Sequence, residues 1–412
     1  MSFNSWIRVS LFNLLLVAAI GVVLRYKIAF ALPFVDQKHL LHGHSHFAFA
    51  GWVTQVLMVL MIGWLAARSN KNIIKRYSLV LWANLLTAYS MLIIFPIQGY
   101  SLTSIICSQL SVIVFYVFAI MYWTDLNKMV PGIPGAWFKA ALIFGALSSL
   151  GVYALAAMMV SKNAHQNWHL AAEYFYLHFQ YNGWFFFACM GLFTAKIETM
   201  VPARVLKKIF WLFTGAFIPA YFLSVLWLHF SLPVYTIIVI AALIQLISWG
   251  WLLQSLKNKG LLYKQAFSLT ARRLIALSAI ALSIKLFLQA GSVIPSLSNI
   301  SYGFRPIIIG YLHLVLLGVV TLFILGYIVA EKYISISGKA IPGIIIFTSG
   351  IVINEILLMT QGVTAMSYNT IPFINEALFL TAVIMFIGLV VLNVSQWGKI
   401  ESLTGDPTKA VQ

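Results

Sequence analysis

The chain has 412 residues, of which 62% are hydrophobic and 8% charged, with a mean hydropathy of +0.95. That charge content excludes an ordinary soluble domain of this size, and the apolar runs of about 20 residues are what bilayer-spanning helices need. The formal net charge of +17 does not point to nucleic acid, because the basic residues are split among separate short segments.

The first apolar run, 9–32, has a weakly charged flank and no A-x-A-like cleavage site, so it reads as a span, not a signal. Eleven more are expected near 43–66, 77–97, 103–123, 137–160, 173–195, 207–229, 233–254, 273–292, 306–330, 341–361 and 373–396. The expectation is an all-α polytopic membrane protein, with residues 1–398 as a single twelve-helix transmembrane domain and 399–412 as a short cytoplasmic tail. With the N-terminus inside, 20 of the 26 Lys and Arg fall on one side. They are Arg8; Arg68, Lys71, Lys75 and Arg76; Lys128 and Lys139; Lys196, Arg204, Lys207 and Lys208; Lys257, Lys259, Lys264, Arg272 and Arg273; Lys332 and Lys339; Lys399 and Lys409. The positive-inside rule then puts both termini in the cytoplasm of a bacterial-type inner membrane. Cys107 and Cys189 fall within spans and read as buried apolar residues.

Span 2 opens on "HLLHGHSHFAFAGW", which carries His39, His42, His44 and His46, four of the nine histidines. His39, His42 and His46, at i, i+3 and i+7, share one helix face, and His44 points off it. His165 and His169 fall in the loop after span 5, His178 near the start of span 6, His229 at the end of span 7 and His313 inside span 10. All nine lie towards the outer side. His46 follows Lys38 by eight residues and His313 follows Arg305 by eight, which places both imidazoles about 12 Å along their helices. Two histidines at one depth can take the two axial positions of a haem iron. Each also has a plainer reading: a lone membrane histidine such as His229 as an interhelical hydrogen-bond partner, His39 and His42 as interfacial residues, and His165 with His169 as a solvated loop.

Twelve spans with outward histidines on spans 2, 6, 7 and 10 resemble subunit I of the haem–copper oxidase and nitric oxide reductase superfamily. The resemblance implies that superfamily's helical bundle. It implies His46, or alternatively His44, as the low-spin haem ligand of helix II, and His313 of "YLHLVLLG" as its partner on helix X. Tyr311 stands where the family has the high-spin haem histidine, and tyrosine is itself a known haem ligand. His178 of "LHFQYNGW" falls at the helix VI metal ligand, with Asn182 at i+4 where the oxidases carry tyrosine. Span 7 offers His229 in place of the family's His–His pair, and His42 or His169 are further metal candidates. "HGHSHFAFAG" is also similar to the start of the twelve-span NnrS-like haem and copper proteins.

These likenesses imply a haem-binding redox protein. Its low-spin haem, of b type, would lie between His46 and His313, with Arg305 and Arg25 near the propionates. An altered second centre near His178, His229 and Tyr311 would take copper or iron. Quinol or a cytochrome would donate electrons, accessory subunits would be partners, and turnover of oxygen or nitric oxide stays open. Arg305 and Arg25 also read as snorkelling anchors. Lys285, Glu355 and Glu376 are costly in lipid and point to paired or wet positions. The competing readings are a twelve-span secondary transporter and a histidine-lined metal-binding membrane protein whose site is the 39/42/46 stripe.

Overall fold

The structure, a computed structural model, describes residues 1–69, 73–130, 132–161, 165–298, 304–336 and 338–396. Lys71, Lys399, Lys409 and the expected tail lie outside them. Every regular element among the described residues is helical. We number the helices α1 (Phe3–Ala29), α2 (Gln37–Ala66), α3 (Ile73–Gln98), α4 (Leu102–Leu126), α5 (Gly132–Ser161) and α6 (166–197). Next come α7 (Ala203–Leu228), α8 (Leu232–Lys257), the short α9 (Gly260–Ala266), α10 (Leu269–Gly291), α11 (Arg305–Ala330), α12 (Ala340–Met366) and α13 (Ile374–Gln396).

Eleven of the long helices are long and apolar enough to cross a membrane, so the chain is an all-α polytopic membrane protein. The expected twelfth span falls on α6, which is not among the eleven. Its apolar run is interrupted by His178, Gln180 and Asn182. Two helices begin earlier than the hydropathy pattern suggests. At α1, Ser2 caps the helix by accepting from the Ser5 amide at 3.2 Å. At α2, Asp36 accepts from the His39 amide at 2.8 Å, so the helix starts at Gln37 and its histidines lie within it. Side-chain caps of this kind satisfy the first free N–H groups of a helix, whatever the hydropathy of its opening turns.

The chain divides into two compact units, Met1–Thr124 with Ile324–Gln412, and Asp125–Phe323. In unit 1, α12 and α13 meet at glycines. A side chain at Gly388 would strike the Phe347 backbone, and one at Gly343 would lie 2.7 Å from the Leu392 nitrogen, so small residues set the helix separation. Asn393 ties α13 to α1 through the Leu11 carbonyl at 3.3 Å. Every residue from Gln55 to Ala66 in α2 is buried.

Unit 2 packs α6 against α5 and α7 through aromatic rings. Phe144 stacks on Phe217 at 4.0 Å, and Phe179 and Phe187 meet Phe217 edge-on. Such rings bury large apolar area and hold offset or T-shaped geometry. Elsewhere in the unit, Trp249 of α8 donates to Ser283 of α10 at 2.9 Å.

Candidate functional site

Three helices widen from α to π geometry part-way along. The π-helical stretches are Ala48–Thr54 in α2, His178–Phe185 in α6 and Leu314–Thr321 in α11. Each coincides with a candidate histidine: His46 lies just ahead of the first, His178 opens the second, and His313 immediately precedes the third. A π turn breaks the regular i→i−4 ladder and recurs at functional sites. Its carbonyls then need other donors. Asn84 of α3 donates its amide to the Ala50 carbonyl at 3.0 Å and to Gln55 Oε1 at 2.8 Å. Asn13 of α1 donates to the Gly51 carbonyl, and the Tyr89 hydroxyl steadies Asn13 Oδ1 at 2.7 Å. In α11, the Val319 carbonyl accepts from Ser278 Oγ of α10 at 2.7 Å.

In unit 1 the stripe expected from the i, i+3, i+7 spacing faces the end of α3. The His46 ring lies flat on Phe95, centroids 4.3 Å apart and planes 7° from parallel. Its Nε2 is 3.4 Å from the Tyr100 hydroxyl. His42 meets Tyr100 edge-on at 4.6 Å, and its buried Nε2 has no hydrogen-bond partner among the described residues. His39 lies over Gly99, which has φ +59° and where any Cβ would collide with the imidazole. Glycine is therefore required there twice over, for conformation and for space. His44 leaves the stripe and sits against Gly21 of α1.

In unit 2, His178 is buried and both of its ring nitrogens are engaged. Nε2 donates to the Phe217 carbonyl at 3.1 Å, and Nδ1 accepts from Asn182 at 3.3 Å. His313 donates from Nδ1 to the Ile309 carbonyl at 2.8 Å, which fixes the tautomer and makes Nε2 the lone-pair nitrogen. Tyr311 is half-buried two residues earlier, and Arg305 is exposed at the first turn of α11. His165 is exposed ahead of α6, and His169 is half-buried in its opening turns. His229 is exposed, with φ 53°, past the 3-10 turns Phe222–Leu228 that end α7. Among the described residues, no group of three or more His, Cys, Asp or Glu is placed to hold a metal ion.

Beside His178, unit 2 contains a partly open cavity of about 20 Å3, lined by Tyr181, Asn182, Gln245, Lys285 and Gln289 with walls from Phe186, Phe213 and Phe217. Lys285 is buried, at 6% exposure. Its ammonium donates to Gln289 Oε1 at 2.6 Å, and Gln289 Nε2 donates on to Gln245 Oε1 at 2.7 Å.

The sequence matches no protein-family model and no curated protein.

Several residues here escape a reading by histidines. Tyr100 and Phe95 frame His46, while Asn13 and Asn84 support the widened turn ahead of it. The amides Gln245 and Gln289 line the cavity. One signal was present: Lys285 and Gln289 stand at i and i+4 in an otherwise apolar helix and so share a face.

Proposed function

We propose that the protein is a haem-binding redox protein of the cell membrane, with His46 and His313 as axial ligands of a low-spin b-type haem. The observation that supports this best is the coincidence of the three π-helical stretches with His46, His178 and His313. A ligand histidine must be neutral and held by a second-shell hydrogen bond. His313 meets this through its Nδ1 bond to Ile309. His46 is held by its stack on Phe95, with Nε2 near the Tyr100 hydroxyl. The pairing of the two on one iron rests on their equal depth behind Lys38 and Arg305. When bound, the haem supplies one-electron chemistry; the chain supplies ligands, their orientation and a dry surrounding.

The likeness to haem–copper oxidase subunit I, and equally that to NnrS-like proteins, is kept as part of this reading. The second metal centre is not, because both His178 nitrogens are engaged and His229 is exposed in a loop. Quinol or a cytochrome is the electron donor, accessory subunits are the partners, and both termini are cytoplasmic on the distribution of Lys and Arg.

The test is the visible spectrum of the purified protein, oxidised and dithionite-reduced, beside His46→Ala and His313→Ala. Sharp reduced bands lost in both variants are expected. A colourless protein made with ample haem supply overturns the proposal; bands that survive in either variant overturn the ligand assignment.

A further inference from the structure

The cavity in unit 2 holds a buried lysine amine beside which the described residues place no carboxylate. An ammonium taken out of water is costly unless it is paired, and within a membrane helix such a group marks a functional position. Unit 2 carries only three acidic residues, Asp125, Glu173 and Glu198. Asp125 is held by Lys128 at 2.7 Å. Among the described residues no carboxylate pairs with Lys285, whose single hydrogen bond goes to the neutral oxygen of Gln289. Two of its three N–H donors are thus left for another acceptor.

The amides around it point the same way. Accepting from Lys285 fixes the Gln289 oxygen, so its NH2 faces Gln245 and donates to Oε1. That in turn orients Gln245 with its own NH2 at the far end of the relay. Asn182 spends its amide on His178 and on the neighbouring Tyr181. The result is a nook of N–H donors with one positive charge and an aromatic wall. Its volume of about 20 Å3 is room for about one water-sized group.

We infer that this cavity is a binding site for a small monovalent anion, of halide or nitrite size, with Lys285 as its charge and Gln245 as a neutral donor. The site is independent of the haem reading, since it uses neither His46 nor His313.

The experiment is equilibrium dialysis of the purified full chain in nanodiscs against radiolabelled chloride, at ionic strength held constant with gluconate, which is too large to enter. Thermal unfolding is followed in parallel. Wild type is expected to take up chloride stoichiometrically and saturably, with an unfolding midpoint that rises as the site fills. Lys285→Met, similar in volume and able to fill the same space, is expected to unfold cooperatively and take up none. Gln245→Met is expected to bind several-fold more weakly, having lost one neutral hydrogen bond. Nitrite competes with the label in wild type. No saturable uptake by wild type, or equal uptake by wild type and Lys285→Met, overturns the proposal. Should Lys285→Met fail to fold, unchanged affinity in Gln245→Met overturns it instead.

Discussion

In unit 1 the widened turn of α2 exposes the Ala50 and Gly51 carbonyls deep in the protein, and each is met by an asparagine, Asn84 or Asn13. In unit 2 the polar cluster beside α10 is built from a lysine and two glutamines, with no carboxylate among the described residues to pair with the amine. The first region is nearly closed: its asparagines, the two carbonyls and Gln55 Oε1 are matched, with Gln55 Nε2 left over among the described residues, so it holds a shape. The second is open, because its surplus is all of one kind, N–H donors with positive charge. A surplus of that kind suits an arriving partner of opposite sign, whereas a closed network suits a scaffold on which side chains such as His46 are presented.

The sharpest break of this contrast is Asn84→Leu. It strands two buried acceptors, the Ala50 carbonyl and Gln55 Oε1, and should cost about 3 kcal/mol, read as a lower unfolding midpoint in detergent. Lys285→Met should move the other way. With anions kept out it replaces a buried amine that has no carboxylate partner by an apolar side chain and should stabilise by about 2 kcal/mol, measured in the same assay in gluconate buffer. A loss of stability there would mean that the lysine is already balanced within the protein. Ser278→Ala is milder, since it removes one bond to the Val319 carbonyl and leaves the π turn of α11 otherwise intact. About 1 kcal/mol is expected, with the spectrum of any bound haem as a second readout.

The smallest effect is local and pH-dependent. Asp36 has its pKa lowered, chiefly by the hydrogen bond from the His39 amide. A carboxylate held below its ordinary value stabilises above that value and loses its contribution as the pH falls through the range of about 4 and lower. Protection of the first-turn amides of α2 against exchange, relative to their intrinsic rates, should therefore fall as the pH drops through that range. Asp36→Asn should keep the cap but lose the pH dependence.

The long apolar runs made the helices legible, and the histidine spacing made the face of α2 legible, because hydropathy and the 3.6-residue period act locally. The start of α2 was misplaced because one capping carboxylate outweighs the polarity of the four histidines that follow. The π stretches were not legible at all. Whether a carbonyl in "AFAGWVT" bonds four or five residues on depends on Asn13 and Asn84, which lie on other helices. Lys285 was visible as costly, but Gln245 joins it from α8, forty residues earlier in the chain, and no local pattern links the two. His229 read as the end of a span, and the structure turns it outward because α7 tightens to 3-10 turns, with Val225 at φ −134°, before the chain reverses.

The π stretch of α2 also carries information about phase. One surplus residue in a helix shifts everything beyond it by about 100°, so Ala48–Thr54 acts as an insertion that sets the histidine half of α2 out of step with the buried half from Gln55 onward. Deleting a single residue there, Ala50 for instance, would leave a longer and more regular helix. It would also swing His46 off Phe95 and bring the face of His44 round towards α3. A deletion that makes the secondary structure more ideal would thereby dismantle the arrangement of imidazoles, and the irregularity is what sets their bearing.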